Sequence, residues 1–349
     1  MKKAALVSVV VFAVLCSGVS HAALKNDRGT RAFSMEGAFV GQADDSSALW
    51  YNPAGLVQKN IPEVDLSVQT LSPDNATGAN AYDMTSGSWS THKEYAGIGI
   101  NYVNYDYPTV KTGTGTTAVT TYGSDTAEYS LGFATNFGLS RFSLGATGGV
   151  IDYSSKQSGV KNEHSKQFVF GALLKVLDFD RFTLSLGVAN RPQETYDILK
   201  DIANPESKEY GLNAKIITGY PIIGLNVQQD NVSYNYSDIS SSQKYLDNGY
   251  KATAFGAELT FPFTENFTFA FRAGHRESSW DKHSIAPGAL NTSTLYYGDV
   301  SSTSYGLGIS IGQHFAFDVG RRKTSYSYSS PTAKTPDRQW TTASISLLF

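Results

Sequence analysis

A two-residue alternation between large apolar residues and small or polar residues recurs along most of this chain, and it constrains the fold more than any other feature. In residues 141–153 one face carries Phe142, Leu144, Ala146 and Val150, and the other carries Ser143, Gly145, Thr147 and Gly149. Residues 181–190, 249–261, 266–276, 304–312 and 341–349 follow the same pattern. Because the second face holds few charges, unlike the wet face of a soluble sandwich, the pattern predicts strands that lie between lipid and a lumen.

Composition and length agree with strands. The chain has 349 residues, including 32 Gly, 21 Tyr and 19 Phe, a set that favours strands over helices. Hydrophobic residues make up 41%, and beyond the first 22 residues no apolar run reaches the length of a membrane helix, which excludes a helical membrane bundle. A net charge of −3 argues against a nucleic-acid partner, since phosphate neutralisation needs a clustered basic surface.

The first 22 residues have the pattern of a cleavable signal peptide. Lys2 and Lys3 precede an apolar run over residues 4–16, and Ser20-His21-Ala22 offers small residues at the positions that a signal peptidase reads. We therefore expect residues 1–22 to be removed. The mature chain then has no cysteine, because Cys16 is the single one in the sequence.

The spacing of turns and loops predicts an all-β fold, a 14-stranded antiparallel transmembrane β-barrel over residues 61–349. Thirteen strands are expected near 61–71, 94–105, 126–137, 141–153, 166–177, 181–191, 208–220, 222–235, 249–261, 266–276, 303–312, 314–327 and 340–349. Both ends of the barrel belong on the periplasmic side, so a fourteenth strand is expected within 75–89. The terminal Phe349, with Ile345 and Leu347 in phase, is a weak signal alone. Combined with the signal peptide and the series of hairpins, it predicts a multi-pass barrel in the outer membrane of a Gram-negative cell.

Residues 23–60 do not alternate and precede the first strand. Fourteen strands enclose an opening that wall side chains alone cannot fill, since about eight strands is that limit. The segment contains apolar residues that suit a solvated tail poorly: Phe33, Phe39, Leu49, Trp50 and Leu56. A free periplasmic tail is the alternative. We favour an N-terminal plug, or hatch, inside the lumen.

One motif in this segment resembles a known family. Ala43-Asp44-Asp45-Ser46-Ser47-Ala48, followed by Trp50-Tyr51-Asn52-Pro53-Ala54-Gly55-Leu56, is similar to the N-terminal motif of the long-chain fatty-acid transporter (FadL-type) outer-membrane family. The resemblance implies a 14-stranded barrel with a hatch that moves hydrophobic molecules, long-chain fatty acids or aromatic hydrocarbons, without energy input. It also implies capture by extracellular loops, gating by the hatch and lateral release through the barrel wall.

The resemblance gives expectations for particular residues. The hatch motif comprises Asp44, Asp45, Asn52, Pro53, Ala54 and Gly55. The lateral opening of the family lies in the third strand, where Gly97 and Gly99 face the lumen and invite a bulge. Ligand contacts are expected from Phe33, Phe39, Trp50, Trp280, Tyr296 and Tyr297. The aromatic residues of the loop 278–302 serve equally well as an interfacial girdle.

Seven charges fall in lumen phase: Asp65, Glu128, Lys175, Lys215, Glu258, Arg272 and Asp318. We expect them to hold the hatch through hydrogen bonds. The spacing of nucleophiles, bases and metal ligands predicts no enzyme, no cofactor and no metal. The expected partners are a hydrophobic small molecule and outer-membrane lipid, with the chain acting as a monomer. A protein-docking or secretion component and a general porin remain the alternatives.

Overall fold

The computed structural model describes residues 28–58, 61–73, 83–112, 119–195, 202–234, 248–280, 299–312, 314–326 and 337–349. The expected signal peptide and residues 23–27 lie outside this part of the chain. Within it, the hatch forms two short helices, α1 (Thr30–Phe33) and α2 (Ala48–Tyr51), and a 3₁₀ helix over Pro53–Val57. None of the helices described is long and apolar enough to cross a membrane.

Eighteen strands follow the hatch in the described chain. They are β1 (Glu63–Pro73), β2 (Asp83–Lys93), β3 (Ala96–Tyr107), β4 (Val110–Thr112), β5 (Val119–Thr121), β6 (Ser124–Thr135), β7 (Phe142–Ser155), β8 (Glu163–Phe179), β9 (Phe182–Arg191), β10 (Glu194–Thr195), β11 (Ile202–Asn204), β12 (Glu206–Ile217), β13 (Ile222–Tyr234), β14 (Asn248–Thr264), β15 (Phe267–Trp280), β16 (Val300–Ile311), β17 (Phe315–Tyr326) and β18 (Arg338–Leu348). Two small sheets, β4–β5 and β10–β11, belong to connections between the longer strands.

The other fourteen strands form one closed antiparallel barrel in the order β1-β18-β17-β16-β15-β14-β13-β12-β9-β8-β7-β6-β3-β2. Closure pairs Leu66 of β1 with Ile345 of β18, so the sheet has no free edge. This leaves no backbone edge unpaired in lipid. The predicted fold class is confirmed.

The second barrel strand differs from its expected position. It runs from Asp83 to Lys93 and not within 75–89. Its lumen face is Ser86, Ser88 and Ser90, while Thr85 and Gly87 lie on the outward face. Because neither face is continuously apolar, the alternation that marks the other strands is weak here.

The outward face of the barrel is apolar. Leu131 and Phe133 on β6 are 55% and 54% exposed, and the other barrel strands except β2 place exposed large apolar residues on the same face. Aromatic residues project at the tight turns, among them Tyr95, Phe179 and Tyr220. This arrangement fits a lipid-facing belt with an aromatic rim.

The barrel has two different ends. At one end the turns are tight, as at 180–181 and 265–266, and both β1 and β18 terminate there. We call this the short-turn end. The opposite, long-connection end carries the two small sheets and the longer links between strands.

The hatch lies inside the lumen. Ala32, Phe33, Phe39, Leu49 and Tyr51 are fully buried, and helix and 3₁₀ segments contact strands around the wall. The core of the molecule is therefore built around the hatch, which packs against buried side chains of the barrel wall.

Candidate functional site

Asn52 joins the hatch motif to the wall. Its Oδ1 accepts a hydrogen bond from the Ala54 amide at 3.2 Å and so caps the 3₁₀ helix. Its Nδ2 donates to the carbonyl oxygen of Val40 at 2.9 Å and to that of Ala172 on β8 at 3.0 Å. One fully buried side chain thus links the hatch segment around Val40 and the 3₁₀ helix to the barrel wall.

The other motif residues order the hatch itself. Asp45 accepts a hydrogen bond from the Ser47 amide at 2.9 Å, and Asp44 accepts one from Arg31 at 2.7 Å. A Cβ atom added at Gly55 would stand 1.8 Å from the carbonyl oxygen of Ala43. The segment around Ala43 therefore packs directly against the segment around Gly55, which accounts for the glycine at that position of the motif.

Lumen-facing glycines form the seat of the hatch. A Cβ at Gly145 would lie 2.4 Å from the Pro53 carbonyl carbon, and one at Gly187 would lie 2.1 Å from the Val40 oxygen. Because those hatch atoms are backbone, they cannot give way as a flexible side chain would. Other lumen-facing glycines approach backbone or side-chain atoms of the hatch. We call the whole set the glycine belt: Gly97, Gly99, Gly132, Gly145, Gly171, Gly187, Gly211, Gly256, Gly274, Gly306 and Gly320.

An ion-pair cluster fastens the hatch on the short-turn side. Arg31 binds Glu258 of β14 in bidentate fashion, with Nε–Oε2 and Nη2–Oε1 both at 2.8 Å. Glu258 also accepts from Arg272 of β15 at 2.6 Å, and Arg272 in turn binds Asp318 of β17. Burial opposes the charge of Arg31, yet the Asp44 and Glu258 carboxylates raise the pKa of its guanidinium well above the usual value. The hatch is therefore tied directly to β14, and through Glu258 and Arg272 to β15 and β17.

A second set of ion pairs lies toward the long-connection end. Arg28 of the hatch pairs with Glu128 of β6 and donates to the Tyr105 hydroxyl at 3.2 Å. Glu36 of the hatch accepts from Arg322 of β17 at 3.2 Å. These contacts anchor the hatch from the opposite side.

All seven predicted lumen charges face the lumen. Glu128 is taken up by Arg28, and the other six line a cavity of about 520 Å³ on the short-turn side of the hatch. The remaining lining includes hydroxyl and amide groups such as Thr183, Ser185 and Asn213. Apolar residues such as Ile222 and Leu348 also line it, so charged and polar groups share the surface of the cavity with apolar ones.

The long-connection side of the lumen is different, because large apolar side chains replace small polar ones there. Leu71 of β1 stands opposite Trp340 of β18, and Met84 of β2 stands opposite Tyr105 of β3. Together with Val103 they are at most 2% exposed and pack into one cluster with the hatch core. We call Leu71, Met84, Val103, Tyr105 and Trp340 the apolar wall. These residues were missed from the sequence, although large apolar residues in lumen phase are the signal that would have identified them.

The predicted ligand contacts have two fates. Phe33, Phe39 and Trp50 are at most 3% exposed inside the hatch core, so no lumen space reaches them in this closed state. Trp280 ends β15, and its side chain lies outside the described residues. Tyr296 and Tyr297 also lie outside them. A ligand-binding role for these six residues stays a prediction.

The bulge expected at Gly97 and Gly99 is absent. Over its described length β3 pairs with β2 and with β6 without a register shift. A Cβ at Gly97 would lie 2.6 Å from the Leu56 carbonyl oxygen, so this glycine admits the hatch and does not break the strand. The lateral opening at this point stays a prediction.

These features define a class: a closed 14-stranded barrel of outer-membrane type whose lumen is filled by an N-terminal hatch. Solved structures of the same fold include a FadL homologue from Pseudomonas aeruginosa, with a TM-score of 0.55 and 12% identity over 91% of this chain and 98% of that one. The CymD monoaromatic hydrocarbon channel matches with a TM-score of 0.58 and 12% identity over 92% and 96%.

The toluene transporter TodX of Pseudomonas putida matches with a TM-score of 0.57 and 10% identity over 92% of this chain and 97% of that one. No family model and no curated protein sequence matches the chain. At such identities the likeness concerns the fold, which it shares over nearly the full length of each structure. Among the described residues, no three or more His, Cys, Asp or Glu side chains come together in a group that could hold a metal ion.

Proposed function

We propose that this protein passes hydrophobic compounds, long-chain fatty acids or aromatic hydrocarbons, across the outer membrane without energy input. Ligand is captured among the connections at the long-connection end, which faces outward. The hatch gates its passage, and the ligand leaves sideways into the bilayer. The structures that share the fold include proteins named as hydrocarbon channels and toluene transporters.

The apolar wall is the observation that carries this proposal. A water-filled porin lines its lumen with polar groups. Here Leu71, Met84 and Trp340 form an apolar surface inside the lumen and in contact with the hatch. An apolar molecule that leaves water for such a surface gains about 25 cal/mol for each Å² buried.

The charged groups of the cavity support a sideways exit. Six of the predicted lumen charges line it on the short-turn side of the hatch, alongside hydroxyls and apolar residues such as Ile222 and Leu348. An apolar molecule that crossed it would displace water from charged groups without pairing them, whereas the bilayer outside the wall dissolves that molecule readily. Release toward lipid is therefore favoured over release toward the periplasm.

Uptake by whole cells tests the proposal. Cells with and without the gene receive radiolabelled oleate and radiolabelled toluene, and initial rates are compared. We expect the gene to raise the rate for at least one of the two. If cells with and without the gene take up each compound at the same rate, transport is contradicted. A steady ion current through the purified protein in planar bilayers would favour a porin. Stable co-purification of one periplasmic or extracellular protein would favour docking.

A further inference from the structure

A buried polar side chain without a hydrogen-bond partner in the described residues, Gln69, lies beside the apolar wall. Both Oε1 and Nε2 of Gln69 on β1 are sealed from solvent and have no hydrogen-bond partner among the described residues. Gln69 is 1% exposed. Leaving such a group unsatisfied is costly, and native proteins rarely do so without a reason.

The neighbours of Gln69 do not satisfy it. In the barrel register it stands opposite Thr342 on one side and Met84 on the other. The Thr342 hydroxyl is already engaged, because it contacts the Thr30 hydroxyl at 3.0 Å and donates to the Val68 carbonyl at 3.1 Å. The Met84 side chain offers no donor. Neither cross-strand neighbour therefore satisfies the Gln69 amide.

Trp340 adds a second unused donor. Its Nε1 is also buried and has no partner in the described part of the chain. Trp340 stands opposite Leu71, two positions along β1 from Gln69. Trp340 of the apolar wall and the adjoining Gln69 thus offer three unpaired groups among the described residues. Gln69 Oε1 is an acceptor, and Gln69 Nε2 and Trp340 Nε1 are donors.

The charges nearby are already committed. Arg322, opposite Trp340, pairs with Glu36, and Arg28 pairs with Glu128. Arg338 at the outer end of β18 has interactions of its own. A carboxylate brought to the apolar wall would meet no uncommitted counter-charge, and burying it unpaired is unfavourable.

We infer that the apolar wall is a binding site for a neutral apolar molecule that carries a hydroxyl group, an alcohol or a phenol. A hydroxyl donates to Gln69 Oε1 and accepts from Gln69 Nε2 or Trp340 Nε1, so it satisfies both kinds of group at once. A hydrocarbon satisfies neither. This inference rests on the proposed function, since the site opens only when the hatch draws back from the wall.

Three ligands of matched size test the inference: toluene, 4-methylphenol and benzoate. Saturation-transfer NMR on the purified full chain in detergent gives relative affinities after correction for empty micelles. We expect 4-methylphenol to bind about fivefold more tightly than toluene, the effect of one net hydrogen bond, and benzoate to bind most weakly.

Two variants locate the effect. In Gln69→Leu the preference for 4-methylphenol over toluene should vanish while toluene still binds, and in Trp340→Phe it should fall. Gln229→Leu, a control on the outward face of β13, should keep the preference. Equal binding of toluene and 4-methylphenol by the unmodified protein, or a preference that survives Gln69→Leu, overturns the inference and leaves the proposed function standing. Binding of none of the three ligands also overturns the inference, while the uptake of oleate and toluene by whole cells decides the proposed function separately.

Discussion

The Asn52 side chain of the hatch donates a hydrogen bond to the Ala172 carbonyl of strand β8 at 3.0 Å. The same amide group holds Val40, and the side-chain oxygen holds the Ala54 amide. The central residue of the sequence motif is thus a structural bridge between hatch and wall. From this position we expect Asn52 to hold the hatch against the barrel wall.

Asn52→Ala should loosen the hatch without preventing barrel assembly. The substitution leaves buried backbone groups without partners, at about 1–3 kcal/mol for each. We expect a higher ion leak in planar bilayers and faster proteolysis of the hatch, with heat-modifiable gel migration unchanged. Asn136→Ala, at an exposed turn, is the control and should behave as the unmodified protein. A variant that leaks no more than this control would contradict the bridging role.

Gly145→Ala should displace the hatch. The added methyl group would stand 2.4 Å from the Pro53 carbonyl carbon, and overpacking of this kind costs about 1–3 kcal/mol. The same substitution at Gly148, which faces outward on the same strand, meets only the Phe168 ring at 3.4 Å. We expect increased leak for Gly145→Ala alone. Similar leak from both variants would show that the glycine belt is not the seat of the hatch.

The glycine belt also shows where sequence reasoning stops. Alternation predicted the strands, the barrel and the lumen phase of the seven charges, because each is written in the local pattern. Glycines in lumen phase were indistinguishable from the general glycine content until the register was known. In the barrel, Gly145 stands opposite Gly171, and Gly187 stands opposite Gly211. Only this register shows that these glycines together make room for the hatch.

Two further elements depended on pairings that the sequence does not display. The partner of Arg31 is Glu258, 227 positions along the chain. Trp340 and Leu71 meet only because the first and last strands close the barrel. The second strand was misplaced for a different reason: its outward face contains Thr85 and Gly87 and lacks a continuous apolar pattern.

Arg31→Met should weaken the attachment of the hatch on the short-turn side. The substitution removes the ion pair that Arg31 makes with Asp44 and its bidentate contact with Glu258, which keeps Arg272 as its other cation. The expected cost is below the ~3–5 kcal/mol of a fully buried pair, because the Arg31 side chain is 22% exposed. Planar-bilayer recordings should show more frequent openings than for Arg141→Met, an exposed control at a short turn. Identical opening frequencies would exclude the Arg31 cluster as a fastening of the hatch.

Phe271→Arg should hinder insertion into lipid. Phe271 faces outward on β15 and is 48% exposed, within the apolar belt. An arginine at the middle of the bilayer costs ~2–4 kcal/mol, and one near the interface costs ~0–1 kcal/mol. Urea unfolding in lipid vesicles should show this loss for Phe271→Arg and little loss for Phe179→Arg at a turn. Equal stabilities would argue that this face does not contact the hydrocarbon region.

Hatch movement during transport is the central claim, and a reversible cross-link tests it most directly. The hydroxyls of Thr30 in the hatch and Thr342 in β18 lie 3.0 Å apart, and the one cysteine of the sequence, Cys16, lies in the expected signal peptide. The double variant Thr30→Cys/Thr342→Cys should therefore form a single disulfide between hatch and wall. The two single variants serve as controls.

The measurement is uptake of radiolabelled toluene and oleate by cells that carry the double variant, before and after addition of reductant. We predict that uptake is blocked while the hatch is linked to the wall and returns to the rate of the single variants on reduction. Uptake by the linked protein at the rate of the single variants would contradict the claim that the hatch must move.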